Sequence, residues 1–169
     1  MNRRRATIAL ALGLVLSSCN TSQFAFKVDK TISFVAPKAR KTVDLPATVR
    51  WRDEEPPANL RVAPNDPTAE YYGIFVDRAP LRPGATVLSL VDEGDSCRRT
   101  PGCPDAVFLA RLKAYFTTRP ELTLEFLADL RPSKRGGTKD PHEVTIVRMR
   151  GDRRLGEAAF TRTFFVDRP

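Results

Sequence analysis

From residue 24 onward, apolar side chains recur mainly at every second position. Phe24, Phe26 and Val28 alternate with Ala25 and Lys27, and Ile32 and Phe34 continue in the same phase. Ala47, Val49 and Trp51 alternate with Thr48, Arg50 and Arg52, as Leu122, Leu124 and Phe126 do with Thr123 and Glu125. A period of two puts the apolar residues on one face of an extended chain, so each segment predicts a strand with one buried face. Residues 71–76 form a dense aromatic and β-branched run, again strand-like. Residues 144–149 form another, but the apolar phase shifts between Ile146 and Val147, which predicts a bulge or a strand buried on both faces. Gly151-Asp152-Arg153-Arg154 reads as a hairpin turn, and the last strand is expected from about residue 155 to residue 166.

Prolines punctuate the gaps. Pro56-Pro57, Pro64 and Pro67 fall in one long polar loop, and Pro80 and Pro83-Gly84 follow the strand of residues 71–76. Residues 132–141, with Lys134-Arg135-Gly136-Gly137, predict an exposed loop. Fourteen prolines leave little room for long helices. The one helix candidate runs from residue 104 to about 112. Pro104 and Asp105 suit its start, and Val107, Phe108 and Leu112 supply an inward stripe. The reading is all-β, a β-sandwich of about seven strands with a decorated loop near residues 92–112.

The first eighteen residues break this pattern. Arg3, Arg4 and Arg5 precede an apolar run over residues 6–16, and Ser17, Ser18 and Cys19 follow. A cationic start, a short apolar core and small residues make an export signal. Eleven residues of helix reach only about 16 Å at 1.5 Å each, and a bilayer core calls for about 20 apolar residues. The run is therefore too short to serve comfortably as a permanent span. The Leu16-Ser17-Ser18-Cys19 sequence resembles the lipobox of bacterial lipoproteins at every position. The resemblance implies cleavage before Cys19, a diacylglycerol on its sulfur and a chain that stays on a bacterial membrane outside the cytoplasm. Residues 1–18 are then the cleaved signal, residues 19–23 a short tether, and residues 24–169 the β-sandwich. Four residues, 20–23, reach at most about 14 Å.

Without residues 1–18 the chain keeps 25 Lys and Arg against 20 Asp and Glu. The basic residues never form a dense block with aromatics, so nucleic acid is not an expected partner. The expected partners are the membrane, through Cys19, and an envelope protein or wall polymer. Cys97 and Cys103 remain. Outside the cytoplasm two nearby thiols pair, Pro101-Gly102 favours the turn that brings them together, and a Cys97–Cys103 disulfide is expected. Five residues between them is the wrong spacing for a redox motif, and no histidine stands near to complete a zinc site.

Chemistry is otherwise sparse. His142, the single histidine, lies between Pro141 and Glu143 and is expected as a solvated residue at a strand start. Asp53-Glu54-Glu55 and Asp92-Glu93-Gly94-Asp95 carry carboxylates but lack the spacing of a calcium loop. Trp51 is in phase with Val49 and is expected in the core. There is no Gly-x-Ser-x-Gly elbow and no phosphate-cradling loop. No catalytic residue, metal or cofactor is expected.

The strand sequence also resembles bacterial immunoglobulin-like or fibronectin-III-like modules. A first strand ends at Pro37, a second carries Val49-Arg50-Trp51, a third runs from Tyr72 to Asp77, and residues 143–166 supply a final hairpin. The functional expectation is a lipid-anchored, non-catalytic binding or structural module of the cell envelope. Two rivals follow from the same residues. One is a headgroup-associating module using Lys134, Arg135 and Lys139, with His142 beside them. The other is an envelope hydrolase using His142 or an acidic pair.

Overall fold

Ala47, Val49 and Trp51 all point into one core, as their spacing requires, and they do so from the central strand of a three-stranded sheet. The structure, a computed structural model, describes residues 27–125, 127 and 139–167. The lipobox with Cys19, the tether, Phe24, Phe26, Phe126, Lys134 and Arg135 lie outside the described residues.

Seven main strands form two packed sheets. The smaller sheet has the order β2 (Ile32–Ala36), β4 (Ala47–Asp53), β7 (Glu121–Leu124). The larger has β10 (Ala158–Asp167), β8 (Lys139–Arg150), β5 (Glu70–Val76) and β6 (Ala114–Thr117) as neighbours. All pairings among these seven are antiparallel. Three two-residue strands complete the larger sheet. β1 (Lys27–Val28) and β3 (Thr42–Val43) run parallel along the outer edge of β10, and β9 (Arg153–Arg154) folds back on β8. This is the expected immunoglobulin-like β-sandwich, with residues 143–166 in its closing antiparallel pair.

The core between the sheets contains Ile32, Val49, Trp51, Tyr72, Ile74 and Phe164, joined by Val144, Ile146 and Val166. Trp51 meets Tyr72 edge to face, with ring centroids 5.2 Å apart. A second core lies on the outer face of the larger sheet, where Tyr71, Phe75, Val147 and Met149 are roofed by Leu81, Val87 and Leu109. The roof is built by two 3₁₀ turns, Val87–Leu90 and Ser96–Arg99, and by α1 (Ala106–Arg111). The phase shift at Ile146 and Val147 is thereby explained. β8 is buried on both faces there and pairs with β5 without interruption through that point, while the irregularity in the sandwich falls between Phe34 and Ala36.

Several expectations change. Val28 is 65% exposed, because β1 is an edge strand whose side chains find no opposing sheet. Val107 is 62% exposed and Leu109 is the buried residue of α1, which starts at Ala106 and turns Leu109 toward the outer face of the larger sheet. Asp105 caps that start, its side chain accepting from the Phe108 amide at 2.7 Å. Lys139, Asp140 and Pro141 belong to β8 rather than to the preceding loop, because β10 continues to Asp167 and offers them a ladder. The last strand begins at Ala158, after β9 and a turn through Gly156, whose φ of +66° suits glycine. β6 follows the helix as an additional strand, where Lys113, at φ +56°, reverses the chain.

Candidate functional site

His142 is not solvated. It is 4% exposed and points into the sandwich at one end of β8, against Phe164. The alternation of β8 explains this: His142 shares its face with Val144 and Ile146, whereas Lys139 lies on the opposite, exposed face. The structure therefore does not bring Lys139 and His142 together. The acid beside His142 is Asp77, just past the end of β5, not its sequence neighbour Asp140. Nδ1 lies 2.7 Å from Asp77 Oδ2, and the Glu143 amide donates to Asp77 Oδ1 at 2.9 Å. Burial opposes the Asp77 charge, but the hydrogen bonds from His142 and the Glu143 amide outweigh it and hold the carboxyl below its usual range. An ionised carboxylate only accepts, so Nδ1 donates to Asp77. Nε2 is buried and has no hydrogen-bond partner among the described residues. A general base must reach a substrate proton, and this nitrogen is buried.

The other end of the same face of β8 carries Arg148. Its guanidinium meets Asp53 through Nε at 3.2 Å and Nη2 at 2.6 Å, Asp29 through Nη1 at 2.7 Å, and the Thr31 hydroxyl at 2.6 Å. Tyr72 donates its hydroxyl to Asp53 at 3.0 Å. Burial works against the Arg148 charge, but the two carboxylates outweigh it and keep the guanidinium firmly protonated. Burial and the Asp53 charge both push the Tyr72 phenol up, so it stays a donor. Asp53, one of the carboxylates considered for calcium, is thus committed to a fastening. It ties the first described residues, through Asp29 and Thr31, to β4, β5 and β8. Asp95 has a local task as well, accepting from the Cys97 amide at 2.7 Å. No three metal-ligating side chains converge among the described residues.

Cys97 and Cys103 are joined in a disulfide across their expected loop. The loop forms one wall of a groove of about 520 Å³. The groove wraps the outer edge of β6: it touches Phe116 on the outer face of the larger sheet, Tyr115 on the other, and Leu122 of the smaller sheet. Phe116 is held in place by Tyr71 and Phe75, with ring centroids at 5.4 and 6.5 Å. Val62 and Leu88, 45% and 36% exposed, stand on the far wall. The charged side chains of the lining are two carboxylates, Asp105 and Asp152. A cavity of this size, mostly apolar with a few polar groups, is the usual form of a binding site. The sequence held a signal for it in the adjacent aromatics Tyr115-Phe116, directly after the helix candidate.

No protein-family model, curated protein or solved structure matches this chain.

Proposed function

We propose that the chain is a lipid-anchored, extracytoplasmic lipoprotein of the bacterial cell envelope whose β-sandwich acts by non-catalytic binding. The observation that carries the reading is Leu16-Ser17-Ser18-Cys19 behind a cationic, apolar leader. A diacylglycerol on Cys19 supplies two chains, enough for stable anchoring where a single chain gives only marginal attachment. The Cys97–Cys103 disulfide supports an oxidising compartment. The groove along β6 supports binding as the domain's work, because exposed apolar side chains gather around it. The rival use of Lys134, Arg135 and Lys139 on lipid headgroups rests on charge alone.

The test is mass spectrometry of the native protein together with metabolic labelling by palmitate. The expected result is a chain that begins at Cys19, carries a diacylglyceryl group there, and loses both label and membrane association in Cys19→Ser. An unmodified Cys19 thiol in protein recovered from the medium overturns the reading.

A further inference from the structure

The binding reading leaves open what enters the groove, and the backbone of β6 narrows the answer. We propose that the groove takes an extended, apolar polypeptide segment bearing Lys or Arg, which adds to the larger sheet at Phe116. This inference rests on the binding-module reading but not on the anchor.

Three observations carry it. The Val76 amide donates to the Lys113 carbonyl, and the Asp77 amide to the Glu143 carbonyl. In antiparallel pairs the bonded and non-bonded positions alternate. With Tyr72 opposite Thr117 and Ile74 opposite Tyr115, the odd-numbered residues of β6 turn their N–H and C=O toward β5. Those of Phe116 consequently turn outward, and no strand among the described residues pairs with that edge. An outward N–H and C=O on an accessible edge are the groups an added strand uses. Ala114, the other outward position, is buried, so the added segment meets the edge at Phe116 and beyond.

The second observation is the apolar walls. Val62, Leu88 and Leu122 flank the edge on both sides of the sheet, as pockets for alternate side chains of an extended ligand would. The third is charge. The chain as a whole carries 28 basic against 20 acidic residues, yet the charged groups lining the groove are Asp105 and Asp152. Asp152 meets Arg153 in a loose surface contact at 3.6 Å. A cationic segment is complementary to this lining, and an acidic one is repelled.

The experiment uses the full lipoprotein in detergent micelles and a fluorescent peptide of alternating Val and Thr with Lys at both ends. Anisotropy titration is expected to show saturable binding. Replacing the terminal Lys by Glu, or methylating alternate amides of the peptide, is expected to weaken it at least about fivefold. In the protein, Asp105→Asn with Asp152→Asn removes the charge while asparagine keeps the helix cap, and the same loss is expected for the Lys peptide only. Val62→Glu and Leu88→Arg alter exposed groove walls without touching either core, and circular dichroism confirms their folding. Val62→Glu adds an acidic group and is expected to weaken the Glu peptide more than the Lys peptide; Leu88→Arg repels the Lys peptide and is expected to weaken it most. Equal binding of the Lys and Glu peptides, or no saturable binding, overturns the proposal, as does a dimer in sedimentation that Leu88→Arg dissolves. Each of these leaves the diacylglyceryl mass at Cys19 unaffected, so failure of the groove and failure of the anchor are read separately.

Discussion

Arg148 and His142 sit six positions apart on the inner face of the same strand, at opposite ends of the same core, and they solve opposite problems. Arg148 brings a full charge into the sandwich and is met on every side, by Asp53, Asp29 and Thr31. His142 brings a ring whose Nδ1 is bonded to Asp77 and whose Nε2 is met by nothing polar among the described residues. A buried charge is tolerated only with its partners in place, because removing one leaves another desolvated and unpaired. One ring nitrogen left without a hydrogen bond costs less than a desolvated, unpaired ion. The lesson is that two buried polar residues on one strand differ in how tightly they bind the fold to its sequence. The Arg148 end fixes the entry of the chain, and the His142 end closes the core with an ordinary hydrogen bond.

The comparison breaks most readily at Arg148. Arg148→Met leaves Asp29 and Asp53 buried without their cation and is expected to cost about 3–5 kcal/mol. Adding Asp29→Asn and Asp53→Asn to it is expected to recover much of that loss, which urea unfolding of the three proteins measures. A single Arg148→Met that costs under about 1 kcal/mol would mean the cluster is no more than a surface ion pair. His142→Leu sharpens the contrast. It forfeits one hydrogen bond and gains apolar contact, and is expected to cost about 1 kcal/mol. A loss as large as that of Arg148→Met in the same titration would show that Nε2 has a partner in the folded protein.

The smallest effect is the pH dependence of Asp77. Its carboxyl sits below the usual range in the folded chain, so the stability it contributes is complete above its unfolded value of about 3.9 and is lost as pH falls through the folded value. Asp77→Asn removes this term, and asparagine tolerates the φ of +52° found there. Unfolding midpoints followed from about pH 5 down to pH 2 are expected to fall more steeply for the native chain than for Asp77→Asn. Parallel curves would assign the acid sensitivity elsewhere.

Much of the sandwich is legible residue by residue. Ala47, Val49 and Trp51 announce their strand because one face is buried and one is wet, and the two phases separate cleanly. Cys97 and Cys103 announce their pairing because six positions and a Pro-Gly turn leave them little else to do. His142 misleads for an equally physical reason. Its neighbours Pro141, Glu143 and Lys139 are polar or turn-forming, and its burial depends on β10 continuing to Asp167, a fact no local pattern contains. Asp77 follows the end of one strand and Asp167 ends another. The repeated Phe-Val-Asp-Arg ending gives no hint that one aspartate pairs with a histidine 65 positions away. The groove is hidden in the same manner, since Val62, Leu88, Phe116 and Asp152 come from four separate segments.

By itself the sequence determined the alternating strands, the disulfide loop, the proline-bounded gaps and the lipobox expectation at Cys19, because each depends on residues within a few positions of one another. Tertiary structure alone decided which polar side chains were sealed inside, which edge was left without a strand partner among the described residues at Phe116, and where two aspartates came to face apolar walls. Those outcomes depend on strand neighbours brought together from distant parts of the chain, and register across a sheet is a property of the pair, not of either strand.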